Sequence, residues 1–215
     1  MAAEETRRLA AVWFADIVGY TSLSEQQEDA ALGLVAELQA VAEREVTARG
    51  GRVVKYVGDA VLAVFESAGG GGEAGPAVRD AFQRYLYCPT CVELAGETGA
   101  LLRIGVHVGE ITTAPDGDIY GDGVNTASRI QGIAAPGQVL LSGFALEGSR
   151  HRTGFTTQAK GRRKMKGLSR PLELHAVGWA DAAADPFIGL DLPRDPGPLS
   201  QYGRAIAVGL VAGML

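Results

Sequence analysis

The sequence predicts an α/β (α+β) domain in which helices pack on a sheet, and two patterns and the composition support this. Residues 51–65 contain two apolar runs on either side of Gly58-Asp59, which is typical of two buried strands joined by a tight hairpin turn. Residues 22–49 instead carry apolar side chains at helical spacing. The chain has 215 residues, 47% hydrophobic and 21% charged, as expected of a soluble globular protein. We therefore expect one domain of about 150–180 residues and a tail.

The N-terminal part predicts a strand followed by a long helix. Leu9 to Phe14 form an apolar strand that ends at Asp16, and Gly19 follows it. Ser22, with Glu25 three residues later, has the spacing of a capping box and predicts that the helix begins there. This amphipathic helix is expected to lie on the sheet and to stop at the glycine pair that follows residue 49.

Two aspartates at strand ends suggest a binding site. An unpaired buried carboxylate at Asp59 costs on the order of several kcal/mol unless a cation meets it. Hard cations take carboxylate oxygen, and helix N-termini attract anions, so Asp16 and Asp59 together predict a site for divalent metal and phosphate. Taken alone, either residue is better explained as a turn residue, Asp16 as the cap of a turn and Asp59 as part of the hairpin.

The middle of the chain carries fewer functional signals. Residues 67–75 predict a flexible glycine-rich loop. A phosphate-binding loop is disfavoured because no lysine with a serine or threonine follows the glycines at the fixed offsets. A second helix is predicted from Pro76 to Leu86, and Pro89 interrupts it. Cys88 and Cys91 have the spacing of a redox or zinc half-site, but no second pair accompanies them, so we interpret them as ordinary packing residues.

Further strands are expected after the cysteines. Residues 101–108 predict a strand, and residues 110–113 continue it as the next strand or hairpin arm. His107 falls within the strand alternation and is interpreted as a core or interface histidine rather than a base. Residues 115–117 predict a turn.

The segment from Asp118 to Ile130 predicts a functional helix. A helix that begins near Val124 puts Asn125 and Arg129 four residues apart, on one face. An amide and a guanidinium on one face can hold a ribose and a phosphoryl group. The alternative is a solvated helical face, which the apolar neighbours of these two residues disfavour.

The last part of the domain is predicted as short elements. Residues 138–142 predict a short strand, and residues 144–149 predict a short helix. Residues 160–167 predict a basic loop, in which Lys166 is the residue most expected to have a function. The segment 171–177 alternates like an edge strand.

The C-terminal region and the net charge limit the kinds of partner that the chain can have. Residues 180–203 have the composition of a linker, and residues 204–215 form an apolar tail that is too short to span a bilayer. The tail is either the start of a truncated membrane segment, which Arg204 favours, or a helix that packs on the domain or a partner. A formal charge of −5 argues against nucleic-acid binding, and no signal peptide is evident, so a cytoplasmic catalytic domain is expected.

Taken together, these motifs and their order resemble the catalytic domain of class III nucleotidyl cyclases, most closely a bacterial adenylate cyclase. The resemblance covers roughly Arg8 to Trp179 and assigns residues 1–179 to one catalytic domain. It implies a ferredoxin-like palm with a central, mostly antiparallel sheet and helices packed on it. It also implies a head-to-tail homodimer whose active sites form between the subunits.

The resemblance assigns a role to each matched residue. Asp16, Ile17 and Asp59 match the binding site for two divalent cations, Mg²⁺ or Mn²⁺. The other matched positions are the adenine-reading pair Lys55 and Asp118, the ribose-orienting Asn125, the transition-state Arg129 and the phosphate-binding Lys166. These assignments imply an active adenylate cyclase that converts ATP to 3′,5′-cyclic AMP and pyrophosphate.

Other functions remain as alternatives. A guanylate cyclase is disfavoured because guanine reverses the hydrogen-bond polarity that Lys55 and Asp118 match. A diguanylate cyclase is disfavoured because the hairpin lacks that family's glycine-glycine-acid motif. A nucleotide-binding regulatory module that dimerises without turnover remains open.

Overall fold

The computed structural model describes residues 5–68, 70–75, 77, 102–149 and 155–179. Its strands, in chain order, are β1 (Thr6–Ile17), β2 (Gly51–Val57), β3 (Ala60–Phe65), β4 (Leu102–Thr113), β5 (Ile119–Tyr120), β6 (Val139–Ser142), β7 (Phe155–Arg163) and β8 (Leu172–Trp179). Four helices have both ends described, α1 (Tyr20–Gln26), α2 (Glu28–Thr47), α3 (Asp122–Gly132) and α4 (Gly143–Glu147), and residues 70–75 are helical as well.

The strands of the described part form one mixed sheet. Their order is β2-β3-β1-β4-β6-β8-β7, and the short β5 pairs with β4. The β4–β6 pair is parallel and the other pairs are antiparallel. The predicted fold class, a mostly antiparallel sheet with helices packed on it, is confirmed.

The central strands of the sheet are covered on both faces, and β1 contributes to both because its successive side chains point in opposite directions. Trp13 and Ile17 pack on one face with residues of α2 such as Leu38. Val12 packs on the other face, in a cluster that includes Ala127 of α3. The helices α2 and α3 therefore cover opposite faces of the sheet.

The predicted glycine-rich loop is wrong, because residues 70–75 are helical. A Cβ at Gly70 would lie 2.6 Å from the Arg49 carbonyl oxygen, and one at Gly75 would lie 2.7 Å from Val139 Cγ1. The missing side chains let this glycine-rich segment, residues 70–75, lie directly against the sheet. Close packing explains these glycines, and flexibility does not.

The predicted start of the long helix is also wrong. Gly19, at φ +76°, is the N-cap residue of α1, and no side chain caps this helix. Ser22 lies inside α1, where its Oγ accepts a hydrogen bond from Gln26 Nε2 at 3.2 Å. The predicted single helix is two helices, since Gln27 separates α1 from α2 with non-helical backbone angles.

Three strand predictions are corrected by the sheet order. The strand β2 is an edge strand with no buried residue, whereas we predicted two buried strands in the hairpin. Residues 102–113 form one continuous strand, and part of the predicted basic loop belongs to β7. The strand β8 lies between β6 and β7, so it is not an edge strand.

His107 is a core residue, as predicted. Its side chain is buried, and its Nδ1 lies 2.9 Å from Ser142 Oγ. Within the described residues, no helix is long and apolar enough to cross a membrane. The predictions for the helix to Leu86, Cys88 and Cys91, the linker 180–203 and the tail 204–215 fall outside the described residues.

Candidate active site

The carboxylates of Asp16 and Asp59 meet where β1 ends beside the β2–β3 turn. Asp16 pairs with Ala60 in the β1–β3 register, so the preceding residue, Asp59, lies next to it. Gly58 has φ +61°, a conformation that glycine adopts without strain and that closes the turn. The Asp59 carboxyl group lies close enough to that of Asp16, and to the backbone of Ile17 and of Asp59 itself, for these groups to affect its pKa. The structure thus brings together the three residues predicted to bind metal.

The contact between these two acids shifts a pKa. Burial, together with the hydrogen bond to Asp16 and its negative charge, raises the pKa of Asp59 to about 6, while the two backbone hydrogen bonds act in the opposite direction. Two adjacent carboxylates cannot both ionise without repulsion, and a bound cation removes that repulsion. The pair therefore has the electrostatics expected of a cation-binding site.

Asp16 is held by two donors that the sequence analysis did not identify. Arg103 Nη2 lies 2.5 Å from Asp16 Oδ2, and Gln131 Nε2 lies 3.1 Å from the same oxygen. Arg103 is opposite Asp16 in the β1–β4 register. Gln131 reaches Asp16 because α3 packs tightly on β4, where a Cβ at Gly105 would lie 2.3 Å from Gln131 N. A charged residue in an apolar strand was a signal for Arg103, but no pattern pointed to Gln131.

Lys55 and Asp118 form an ion pair at a second place. Lys55 Nζ lies 2.6 Å from Asp118 Oδ2, and the side chains are 42% and 39% exposed. The hydrogen bond from Lys55 is the main cause that lowers the pKa of Asp118, and a backbone hydrogen bond from Ile119 acts in the same direction. Arg52 Nη2 also donates to the Gly117 carbonyl at 3.1 Å, which ties the edge strand β2 to the turn before β5.

Asn125 and Arg129 lie on α3 as predicted, one turn apart. Asn125 is exposed and Arg129 is half-buried. A Cβ at Gly167 would lie 3.0 Å from Arg129 Nη2, so the loop that carries Lys166 runs alongside the guanidinium. Met165 packs in a cluster with Ile130 and anchors this loop on the helix. The structure therefore places the segment that carries Lys166 beside the Arg129 guanidinium.

The sequence places this geometry in a known family. Residues 2–178 match the family model for the adenylate and guanylate cyclase catalytic domain. The chain belongs to this cyclase family. An adenylate cyclase of Streptomyces coelicolor is 39% identical over 71% of the chain, and one of Glutamicibacter nicotianae is 33% identical over 81% of it. The chain spans 37% and 41% of the length of these two relatives.

Solved cyclase structures have the same fold. The crystal structure of the adenylyl cyclase CyaB from P. aeruginosa superposes with a TM-score of 0.69 at 26% identity, covering 85% of this chain and 99% of that one. The guanylyl cyclase Cya2 superposes with a TM-score of 0.70 at 21% identity, covering 86% of this chain and 98% of that one. The ferredoxin-like cyclase palm is therefore the fold of this chain.

The cyclase site has ligands that suit hard divalent cations. No group of three or more His, Cys, Asp or Glu side chains that could hold a metal occurs in the described part of the chain. The two carboxylates of Asp16 and Asp59 nevertheless fit Mg²⁺ or Mn²⁺, because such ions are commonly held by one or two carboxylates and complete their coordination with water and substrate phosphates. The raised pKa of Asp59 fits the same interpretation. The roles of the individual site residues stay predictions.

Proposed function

We propose that this domain is an adenylate cyclase that converts ATP to 3′,5′-cyclic AMP and pyrophosphate. The observation that carries the proposal is the contact between the Asp16 and Asp59 carboxyl groups at the end of β1. The relatives named as adenylate cyclases, at 39% and 33% identity, support ATP as the substrate. No side-chain nucleophile is needed, because the 3′-hydroxyl of ATP attacks its own α-phosphorus.

In this proposal Asp16, Asp59 and the backbone of Ile17 would hold two cations, Mg²⁺ or Mn²⁺. Bound there, such ions would lower the pKa of the attacking hydroxyl and neutralise charge on the leaving pyrophosphate. Arg103 and Gln131 fix the orientation of the Asp16 carboxylate, because both donate to its Oδ2 atom.

Lys55 and Asp118 supply the choice of base. Adenine presents an N6 donor and an N1 acceptor, so a carboxylate and an ammonium group are its matching partners. The two side chains bond each other at 2.6 Å, which holds both at the same place before a base arrives. Binding of adenine then exchanges one charge-assisted hydrogen bond for two contacts with the base.

Asn125, Arg129 and Lys166 act on the rest of the nucleotide. Asn125 orients the ribose, and Arg129 donates to the α-phosphoryl oxygens as negative charge develops there. Lys166 binds the terminal phosphates as a point charge. The closeness of Arg129 to Gly167 supports a shared phosphate site for the helix and the loop.

The directions of the α3 side chains support a homodimer with composite sites. Gln131 contacts Asp16 of its own chain. Arg129 is two residues earlier and leaves the helix about 200° away, on the side where Gly167 lies. The catalytic face of α3 therefore points away from the metal-binding carboxylates of the same chain. A second copy that supplies its own Asp16 and Asp59 completes the site, which gives two equivalent sites in a symmetric dimer.

The test is a product assay with a matched control. Purified protein is incubated with ATP and with GTP, each with Mg²⁺ or Mn²⁺, and cyclic AMP and cyclic GMP are measured. We expect cyclic AMP from ATP, a loss of at least about 100-fold in Asp59→Asn, and no loss in Asp29→Asn on the exposed face of α2. Nucleotide binding without any cyclic product would contradict the proposal and favour a silent regulatory module.

A further inference from the structure

We propose that Arg52 is a positioning residue that strengthens the preference of the domain for adenine over guanine. It acts through the turn of residues 115–118, which presents the base-reading Asp118. Arg52 donates to the carbonyl of Gly117, one residue before Asp118. The resemblance to the cyclase family assigns no role to Arg52, so this inference adds a residue to the proposed function, on which it rests.

A β-bulge in β2 brings two cationic side chains to this turn. Arg52 and Lys55 are three residues apart, so a regular strand would point them to opposite faces of the sheet. The β2–β3 register shifts between Val53 and Lys55, and such a bulge redirects a side chain. Arg52 Nη2 consequently lies 3.1 Å from the Gly117 carbonyl oxygen, while Lys55 Nζ lies 2.6 Å from Asp118 Oδ2. The two cations therefore hold neighbouring residues of one turn.

The peptide group between Gly117 and Asp118 is held at both of its ends. Its carbonyl oxygen accepts the hydrogen bond from Arg52, and its N–H donates to Asp116 Oδ1 at 3.0 Å. A peptide group is planar, so these two bonds together fix its rotation and the direction in which the Asp118 side chain leaves the backbone. Gly117, at φ +88°, is a glycine with wide conformational freedom, which makes an external constraint on this peptide necessary.

The charge of Arg52 also acts on the Asp118 carboxylate. Asp118 Oδ1 accepts from the Ile119 N–H at 2.7 Å, and its Oδ2 accepts from Lys55. The hydrogen bond from Lys55 is the largest cause that lowers the pKa of Asp118, and the positive charge of Arg52 adds to it. When adenine binds, Lys55 turns to the base, and Arg52 is the cation that stays beside Asp118. It keeps this carboxylate an ionised acceptor for the adenine amino group.

The alternative is an ordinary surface arginine. Arg52 is exposed, and one exposed hydrogen bond contributes little to stability. The two interpretations predict different kinetics. A surface arginine without a role in the site does not change which nucleotide is preferred, whereas a residue that orients Asp118 changes the binding of ATP relative to that of GTP.

The test is competition kinetics on the full chain. Formation of cyclic AMP from ATP is measured with GTP as the competing nucleotide, which gives kcat, the KM for ATP and the inhibition constant of GTP. The test variant is Arg52→Met, which removes the donor and the charge. The matched control is Arg44→Met, because Arg44 is an exposed arginine of α2 that contacts only its neighbour Glu45 among the ion pairs described. Hydrogen–deuterium exchange without nucleotide compares residues 114–120 with the rest of the fold in each protein.

We expect Arg52→Met to raise the KM for ATP about fivefold and to leave kcat and the inhibition constant of GTP within about twofold of wild type. Exchange should become faster in residues 114–120 and stay unchanged elsewhere. Arg44→Met should match the wild type within about twofold. In an Asp118→Ala background, Arg52→Met should change the KM by less than about twofold, because no carboxylate is left to position.

Two kinds of failure are distinguishable. If the wild type forms cyclic AMP but Arg52→Met leaves the ratio of the ATP KM to the GTP inhibition constant unchanged, this inference alone is overturned. An equal loss in Arg44→Met, a full loss in the Asp118→Ala background or unchanged exchange in residues 114–120 would overturn it as well. A wild type that forms no cyclic nucleotide would overturn the proposed function and the role of Arg52 with it.

Discussion

The domain holds two pairs of charged groups that are built in opposite ways. Asp16 and Asp59 are like charges brought into contact at a partly buried strand end, and the pKa of Asp59 rises to about 6. Lys55 and Asp118 are opposite charges on an exposed edge, and the pKa of Asp118 falls. In the first pair only Asp16 has a cationic partner, Arg103, and Asp59 has none of its own among the described residues, whereas the second pair neutralises itself.

The difference shows what each pair requires. The carboxylate pair is stabilised by anything that brings positive charge, which suits it to cations. The Lys55–Asp118 pair is already complete and contributes little to stability at this exposure. It can therefore exchange partners at low cost, which suits it to the recognition of a base.

The carboxylate pair gives the largest expected effect. Asp16→Ala and Arg129→Ala should each lose roughly 1,000-fold in cyclic AMP formation, because each removes a group that faces the reacting phosphate. Mixed in equal amounts and allowed to exchange subunits, the two inactive chains should recover about a quarter of wild-type activity, since half the dimers then contain one intact site. No recovery in dimers that are demonstrably mixed would refute composite sites.

The Lys55–Asp118 pair should affect substrate choice more than catalysis. Lys55→Glu with Asp118→Cys should lower kcat/KM for ATP by about 100-fold, because two hydrogen bonds to charged groups are lost. Steady-state kinetics with ATP and GTP measures the effect, and the ratio of the two substrates is insensitive to the amount of folded enzyme. An unchanged ratio would show that this pair does not read the base.

The support of Asp16 should have a smaller effect. Gln131→Met removes a donor to Asp16 Oδ2, and the loss of such a supporting contact typically weakens metal binding by about tenfold or more. Titration of activity with Mn²⁺ should therefore give a higher half-maximal concentration. Gln39→Met, on α2 and the opposite face of the sheet, is the matched control and should leave the titration unchanged.

His107 shows the effect of burial on a pKa without a neighbouring like charge. Burial alone lowers the pKa of His107 to about 4. The folded state disfavours its protonated form, so stability is lost as the pH falls from about 6.5, the unfolded value, towards 4. At pH 5 the loss should be about 2 kcal/mol in the free energy of unfolding, measured by urea denaturation. The variant His107→Gln should lose this part of the pH dependence, and a wild-type slope in that variant would contradict the assignment.

The sequence predicted those parts of the site that follow from local patterns. The hairpin around Gly58 and the α3 face with Asn125 and Arg129 depend on turn chemistry and helical spacing, which are local. The burial of His107 followed from strand alternation in the same way.

Predictions failed where contacts between distant segments decide the structure. The glycine content of residues 70–75 is typical of a flexible loop. In the structure, however, Gly70 and Gly75 lie too close to Arg49 and Val139 to carry a side chain. Arg103 and Gln131 meet Asp16 only because β4 lies next to β1 and α3 lies on β4. The strand β8 lies inside the sheet because β7 pairs with its outer side. Residues 156–163 of β7 are exposed, so no alternation of apolar residues predicted this strand.

The tight seating of the glycine-rich segment has a consequence for protein engineering. Replacing glycine by alanine inside a helix ordinarily increases stability by about 1 kcal/mol, and Gly33 in α2, where a methyl group would meet nothing within 4 Å, suits such an exchange. The same exchange at Gly70 or Gly75 would place a methyl group too close to Arg49 or Val139, and the helical segment 70–75 would have to move away from them. Thermostabilisation guided by helix propensity alone would therefore improve the molecule at one glycine and damage it at the other two.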